Sequence, residues 1–201
     1  GNHIFDISSS GIVMGHCEYQ EDEYLKYYHP TRYENYLINN HVKNNLIHDV
    51  GVEYMSAPGM VISLLINSHI KHNEIYNVNY TGMHVGWGWG TYDYGRVTSY
   101  VGNEIMYNYI HDTCQSHLYD GANIYMLGHT GGKNILANNY LENQRNGHGA
   151  IYFDEGSDNW HAYHNVIDLK EITEWKVSEG AAAAYRIPSW IHNGPFASAD
   201  E

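Results

Sequence analysis

The sequence predicts an all-β chain wound as a right-handed, single-stranded parallel β-helix of about five to six coils. Two observations lead there. The unit Asn-x-Ile or Asn-x-Leu, followed within a residue or two by an acid or an amide, recurs with its Asn at positions 45, 73, 108, 139 and 165. Inside each unit the apolar residues form short runs broken by Gly, Asn and Asp, which is turn chemistry rather than the 3.6-residue rhythm of a helix. A unit this short cannot bury its own apolar face, so successive units must stack. Stacked parallel strands lie about 4.8 Å apart. The recurrent Asn then stands above itself, where its amide can bond along a ladder. That is a structural role, not a functional one.

The coils follow in order. His3-Ile4-Phe5-Asp6-Ile7 and Gly11-Ile12-Val13-Met14 supply two strands of a first coil. An insertion at 17–37 interrupts the repeat with the acids Glu18, Glu21, Asp22 and Glu23 among a dense set of Tyr and His, and reads as a lid or groove wall. Residues 38–63 form the next coil, with Ala57-Pro58-Gly59 as its turn. The coil at 65–90 ends in Gly86-Trp87-Gly88-Trp89-Gly90, where flat indole faces suit a stacking platform. Residues 91–102 make a polar loop. Coils at 103–133 and 134–160 follow, and a further one begins at 161–169. The segment 170–201 carries no coil signal. The helix therefore spans 1–169, and the whole chain reads as part of a longer protein, because a solenoid needs a polar cap. Open solenoid ends also leave strand edges through which a homodimer would form.

Charge excludes several partners. Ten Lys and Arg stand against 23 Asp and Glu, a formal charge of −13. A phosphate backbone needs clustered cations, so nucleic acid is not expected. Anionic membrane is disfavoured for the same reason, and no run of about 18 apolar residues exists to span a bilayer. No metal or cofactor is expected. The HxxH pairs His69/His72 and His161/His164 lack helical spacing and a third ligand, and Cys17 and Cys114 lie far apart. No phosphate loop, dinucleotide fingerprint or serine-nucleophile elbow occurs. The 20 Tyr and 5 Trp suit strands, and equally suit a surface that grips polar rings such as sugars.

The candidate site lies between Asp120 and Ser157. Asp120-Gly121-Ala122-Asn123-Ile124-Tyr125 and Ile151-Tyr152-Phe153-Asp154-Glu155-Gly156 occupy successive coils. Alternation sends Ile124, Ile151 and Phe153 to the core, and Asn123, Tyr125, Tyr152 and Asp154 outward. Stacking places Tyr125 beside Tyr152. Two carboxylates across one groove, Asp120 and Asp154, are what glycoside hydrolysis requires; the competing reading is a pair of turn-capping acids before glycine. His84, Trp87, Trp89, His117, Asn123, Tyr125, His129, His148, Tyr152 and Glu155 are candidate sugar contacts around them. A polysaccharide lyase or uronate epimerase is the rival enzyme class, and would need a cation beside the substrate acid. A non-catalytic glycan-binding fragment is the third reading.

The runs His84-Val85-Gly86-Trp87-Gly88-Trp89, Asp120 to Gly128 and Ile151 to Ser157 together resemble glycoside hydrolase family 141, a group of parallel β-helix proteins with α-L-fucosidase and xylanase activities. The resemblance covers about Asn39 to Asp168. It implies a glycan substrate, a secreted or periplasmic bacterial setting, and the acids of the two glycine-bearing motifs as the working pair. Asn123 stands where the resemblance leads one to expect a small residue.

Overall fold

The computed structural model describes residues 1–15, 37–63, 65–86, 101–128, 130–145, 147–154 and 157–168, together with the backbone of 191–193. These residues form nineteen strands and no helix, and the strands pair in parallel as a β-helix. One sheet of six strands stacks β1 (His3–Ile7), β5 (Leu46–Val50), β9 (Glu74–Tyr76), β12 (Tyr109–Thr113), β15 (Tyr140–Gln144) and β18 (Val166–Asp168). A second stacks β2 (Ile12–Met14), β6 (Met60–Ile62), β10 (Met83–Gly86), β13 (Ala122–Leu127), β16 (Gly149–Phe153) and β19 (Ile191–Asn193). A third sheet of five comprises β4 (His41–Lys43), β8 (His69–Lys71), β11 (Glu104–Met106), β14 (Asn134–Ala137) and β17 (Trp160–Tyr163). The short pair β3 (Leu37–Ile38) and β7 (Leu65–Ile66) is continued by bridges at Val101 and Gly132. The repeats anticipate the first two sheets. The third is a finding, since β4 and β8 each carry a single central apolar residue.

The expected ladder exists. Nδ2 of Asn45 donates to Oδ1 of Asn73 at 2.8 Å, Asn73 to Asn108 at 3.0 Å, Asn108 to Asn139 at 3.0 Å and Asn139 to Asn165 at 2.9 Å. Each interior Asn also donates to a main-chain carbonyl, as Asn108 does to Ile70 at 2.9 Å. The residue ahead of each ladder Asn turns a left-handed corner: φ is 58° at Asn44, 55° at His72, 58° at Tyr107, 56° at Asn138 and 53° at His164. Left-handed backbone costs a non-glycine residue about 1–2 kcal/mol. The ladder bonds hold the corner shut against that cost. A second ladder, not anticipated, runs through the main-chain N–H of Ser68 to Asn103 and on to Asn134.

The core is a set of stacked columns. Ile47, Ile75, Ile110 and Leu141 pair in register across the first sheet, and Met60, Met83, Ile124 and Ile151 across the second. All eight are essentially fully buried, each contributing about 1.5–3 kcal/mol of transfer free energy. One position earlier in the second sheet, the column reads Gly11, Gly59, Gly82, Asn123, Ala150. This column presses inward on the first sheet. A Cβ at Gly82 would lie 2.5 Å from Ile110 Cγ2, and one at Gly59 2.6 Å from Ile75 Cγ2.

Candidate active site

The outer face of the second sheet carries one aromatic column. Register places His84 of β10 beside Tyr125 of β13, and Tyr125 beside Tyr152 of β16. The two phenol rings stack at 4.5 Å with 20° between their planes. His84 meets Tyr125 edge-on at 5.1 Å, and Tyr80 meets His84 in the same way at 5.1 Å. Tyr125 and Tyr152 are buried although they point away from the core, in a small cluster of their own with Ala122.

Both acids converge on these phenols. Asp120 lies two residues ahead of β13 and Asp154 directly follows β16, so strands wound in adjacent coils deliver one acid from each side. The Tyr125 hydroxyl lies 3.4 Å from Asp120 Oδ1 and also bonds Asp154 Oδ2. The Tyr152 hydroxyl bonds to both carboxylates as well. Two hydrogen bonds through one phenolic oxygen put the facing carboxylate oxygens no more than about 6 Å apart. Asp154 is buried, at 6% exposure, whereas Asp120 is open to solvent.

The main chain explains the placement. The Asp154 N–H donates to Met126 O at 2.9 Å, which extends the sheet ladder to the acid itself. The Ser157 N–H then donates to Asp154 O at 2.9 Å and turns the chain. On the other side the Ala122 N–H donates to Thr81 Oγ1 at 3.2 Å. Gly121 leaves no room for a side chain, since a Cβ there would sit 2.9 Å from Tyr80 and from Thr81.

The electrostatics are those of an acidic site with little cationic relief. Burial, then the neighbouring Asp154, push the Asp120 carboxyl above its ordinary range, and His148 opposes them. His148 Nε2 is 3.7 Å from Asp120 Oδ1, and its ring meets Tyr152 edge-on at 5.1 Å. Burial and the two acids hold the Tyr125 and Tyr152 phenols far above the usual tyrosine value, so both keep their protons. Burial lowers His84 to about 3, which leaves it neutral at neutral pH, and raises the Cys114 thiol to about 12. Among the described residues no Lys or Arg bonds either carboxylate. Two carboxylates this close can protonate one side of a bound group while attacking, or activating water against, the other.

The expected residues distribute as follows. Asp120, Asp154, Tyr125, Tyr152 and His148 come together. His84 belongs to the same column but stands behind Tyr125 and is buried. His117 is exposed on the strand connection before Asp120, with no hydrogen bond, ion pair or ring contact among the described residues. Asn123 is a correction. Expected on the outer face, it is fully buried and turned inward, where its Nδ2 donates to Ile110 O and Glu142 O at 3.1 Å each. The reason is the inward column of glycines: β13 breaks simple alternation there, and the amide fits because it finds carbonyls on two adjacent strands. Trp87, Trp89, His129 and Glu155 lie outside the described residues, as does nearly all of the insertion at 17–37. Tyr80 is a site residue the sequence reading missed. It walls Asp120 from the connection ahead of β10, and burial and the charge of Asp120 raise its phenol. No repeat marks it, since in register Tyr80 falls opposite Gly121.

No protein-family model matches the chain, and no curated protein matches it significantly. A solved structure named "Glycoside hydrolase" aligns with a TM-score of 0.61 and 24% identity, over 83% of this chain and 31% of that one. At that identity the likeness shows the fold. The chain spans about a third of the length of that structure.

Proposed function

We propose that these coils carry the carboxylate pair of a glycoside hydrolase of the family 141 kind, acting on an oligosaccharide or polysaccharide through Asp120 and Asp154. The observation that carries this reading is the single phenolic oxygen of Tyr125 lying between the two carboxylates. The ceiling of about 6 Å that this puts on the facing oxygens supports the roughly 5–5.5 Å separation of retaining enzymes over the roughly 6.5–9.5 Å that leaves room for an inverting water. Retention of anomeric configuration is therefore the expected outcome. The partly exposed Tyr80 beside Asp120 supports a sugar ligand, and the solved structure of the same fold bears the name of that chemistry. The lyase or epimerase reading finds less support. It needs a cation to neutralise a substrate carboxylate, and among the described residues only His148 approaches the pair.

The test is turnover of a panel of aryl glycosides and plant or bacterial polysaccharides, with product anomers followed by proton NMR. Asp120→Asn and Asp154→Asn are each expected to lower kcat by about a thousandfold, with unchanged circular dichroism. Activity that survives both substitutions, or glycan binding without any turnover, would leave a binding scaffold instead. An inverted product would contradict the short separation.

A further inference from the structure

We propose that the connections between the first and second sheets form a binding wall for a neutral glycan chain, on which Tyr54 and Tyr119 each offer an open ring face to a sugar beyond the one at the carboxylates. This deepens the hydrolase reading and rests on it for one consequence, that the substrate is a chain of several sugars rather than a single glycoside.

The connections stack as the strands do. The Val52 N–H donates to Ile7 O at 3.2 Å and the Tyr54 N–H to Ser8 O at 2.9 Å, which ties the connection after β5 to the one after β1. The Gln115 N–H donates to Val78 O at 3.3 Å and the Ser116 N–H to Asn79 O at 3.0 Å, which ties the connection after β12 to the one after β9. Tyr80 sits on the connection after β9 and Asp120 on the one after β12, so the wall is continuous with the candidate site. Of the twelve large apolar side chains exposed among the described residues, five stand on two of these connections: Val52, Tyr54 and Met55 after β5, Leu118 and Tyr119 after β12. Single exposed apolar residues need no explanation, but a concentration of them marks a binding surface.

Tyr54 is 63% exposed and Tyr119 67%. Neither ring meets another ring among the described residues, whereas Tyr125 and Tyr152 cover each other's faces. An open phenol, apolar on its face and polar at its tip, matches the C–H face and hydroxyl rim of a sugar ring. The main chain holds both in place: the Ala57 N–H donates to Tyr54 O at 2.8 Å and the Gly121 N–H to Tyr119 O at 3.1 Å. A preordered segment loses little freedom when a ligand binds. The connections also bring Ser9, Asn79 and Gln115 to the solvent, uncharged groups that can both donate to and accept from sugar hydroxyls. Charge narrows the ligand further. Glu53 precedes Tyr54 and Asp120 follows Tyr119, so an anionic glycan would meet a carboxylate beside each open ring. The connections after β5 and β12 are two strand spacings apart, about 10 Å, so a ligand that reaches both is longer than one sugar ring.

Binding is measured on Asp154→Asn, so that turnover does not intrude and the carboxylate on the wall is kept. Affinity electrophoresis against mannan, β-glucan, arabinoxylan, starch and polygalacturonate is expected to show retardation by at least one neutral polymer and none by polygalacturonate. Calorimetric titration with oligosaccharides of the retarding polymer is expected to find the hexasaccharide bound about tenfold or more tighter than the disaccharide. Adding Tyr54→Ala is expected to weaken the hexasaccharide about five- to tenfold, and Tyr54→Phe to restore it, because the ring face is what binds. Retardation by no polymer or by polygalacturonate overturns the proposal, as does a hexasaccharide affinity that Tyr54→Ala leaves unchanged. So does a wild-type dimer in sedimentation that Tyr54→Ala dissociates, which would make the patch a protein interface. A neutral glycan that binds through Tyr54 and is never cleaved by wild type sinks the hydrolase reading and leaves the wall standing. Cleavage with a kcat/KM indifferent to chain length and to Tyr54 does the reverse.

Discussion

Asp120 shows what a site residue costs the fold. Its carboxyl is held above the ordinary range by burial and by Asp154, so the folded chain binds that proton more tightly than the unfolded chain does. The sign follows from linkage: the folded state holds the extra proton between the unfolded and folded values, and stability falls as pH rises through that window. Below the window the residue contributes no difference. Asp120→Asn removes the decline, so the variant is expected to melt about 1–3 °C above wild type at pH 7 and level with it near pH 3, by calorimetry at both pH values. The gain stays small because Asp120 is open to solvent and screened. A variant that melts below wild type at pH 7 would mark Asp120 as a turn-holding residue. At this scale the meeting of Asp120 and Asp154 was legible, because an acid beside a glycine and an Ile-Tyr pair recurs at coil spacing. Asn123 was misread because alternation assumes a regular strand, and only the inward glycine column reveals the break.

At the scale of the element, the ladder and the corner form one device. Asn108 accepts from both the main-chain and side-chain nitrogens of Asn73 at 3.0 Å, and donates to Asn139 and to Ile70 O. It is buried, at 1% exposure. Asn108→Ala leaves the Asn73 main-chain N–H and the Ile70 carbonyl without their ladder partner, while Asn139 Oδ1 keeps the main-chain N–H of residue 108, which predicts a loss of about 2–4 kcal/mol in urea unfolding. The same substitution at Asn45, nearer the solenoid end, is expected to cost less, since Asn2 beyond it is exposed. Equal losses at both sites would argue that the ladder does not work as a stack. The ladder was readable because its Asn repeats strictly. The third sheet was not. A strand such as His69-Ile70-Lys71 buries one residue, and one apolar residue between two polar ones has no distinctive period.

At the scale of the whole molecule, stacking converts sequence distance into site geometry. Asp120 and Asp154 are far apart in the chain yet share one phenol, because β13 and β16 are neighbours in register and the acids sit at opposite ends of them. No local motif specifies that meeting. The repeat length does, by placing Tyr125 opposite Tyr152, and this is why the fold and the tyrosine pairing could be read from the chain. Tyr80 was invisible, as it reaches the site from a third coil. The measurement that bears most directly on the two-carboxylate account is peptide mapping by mass spectrometry after reaction with activated 2-deoxy-2-fluoro glycosides, which trap a covalent glycosyl-enzyme. The expected result is one sugar on one of the two acids, Asp120 or Asp154, lost in the matching Asn variant. A label on another residue, or turnover by wild type with inversion and no covalent adduct, would contradict it.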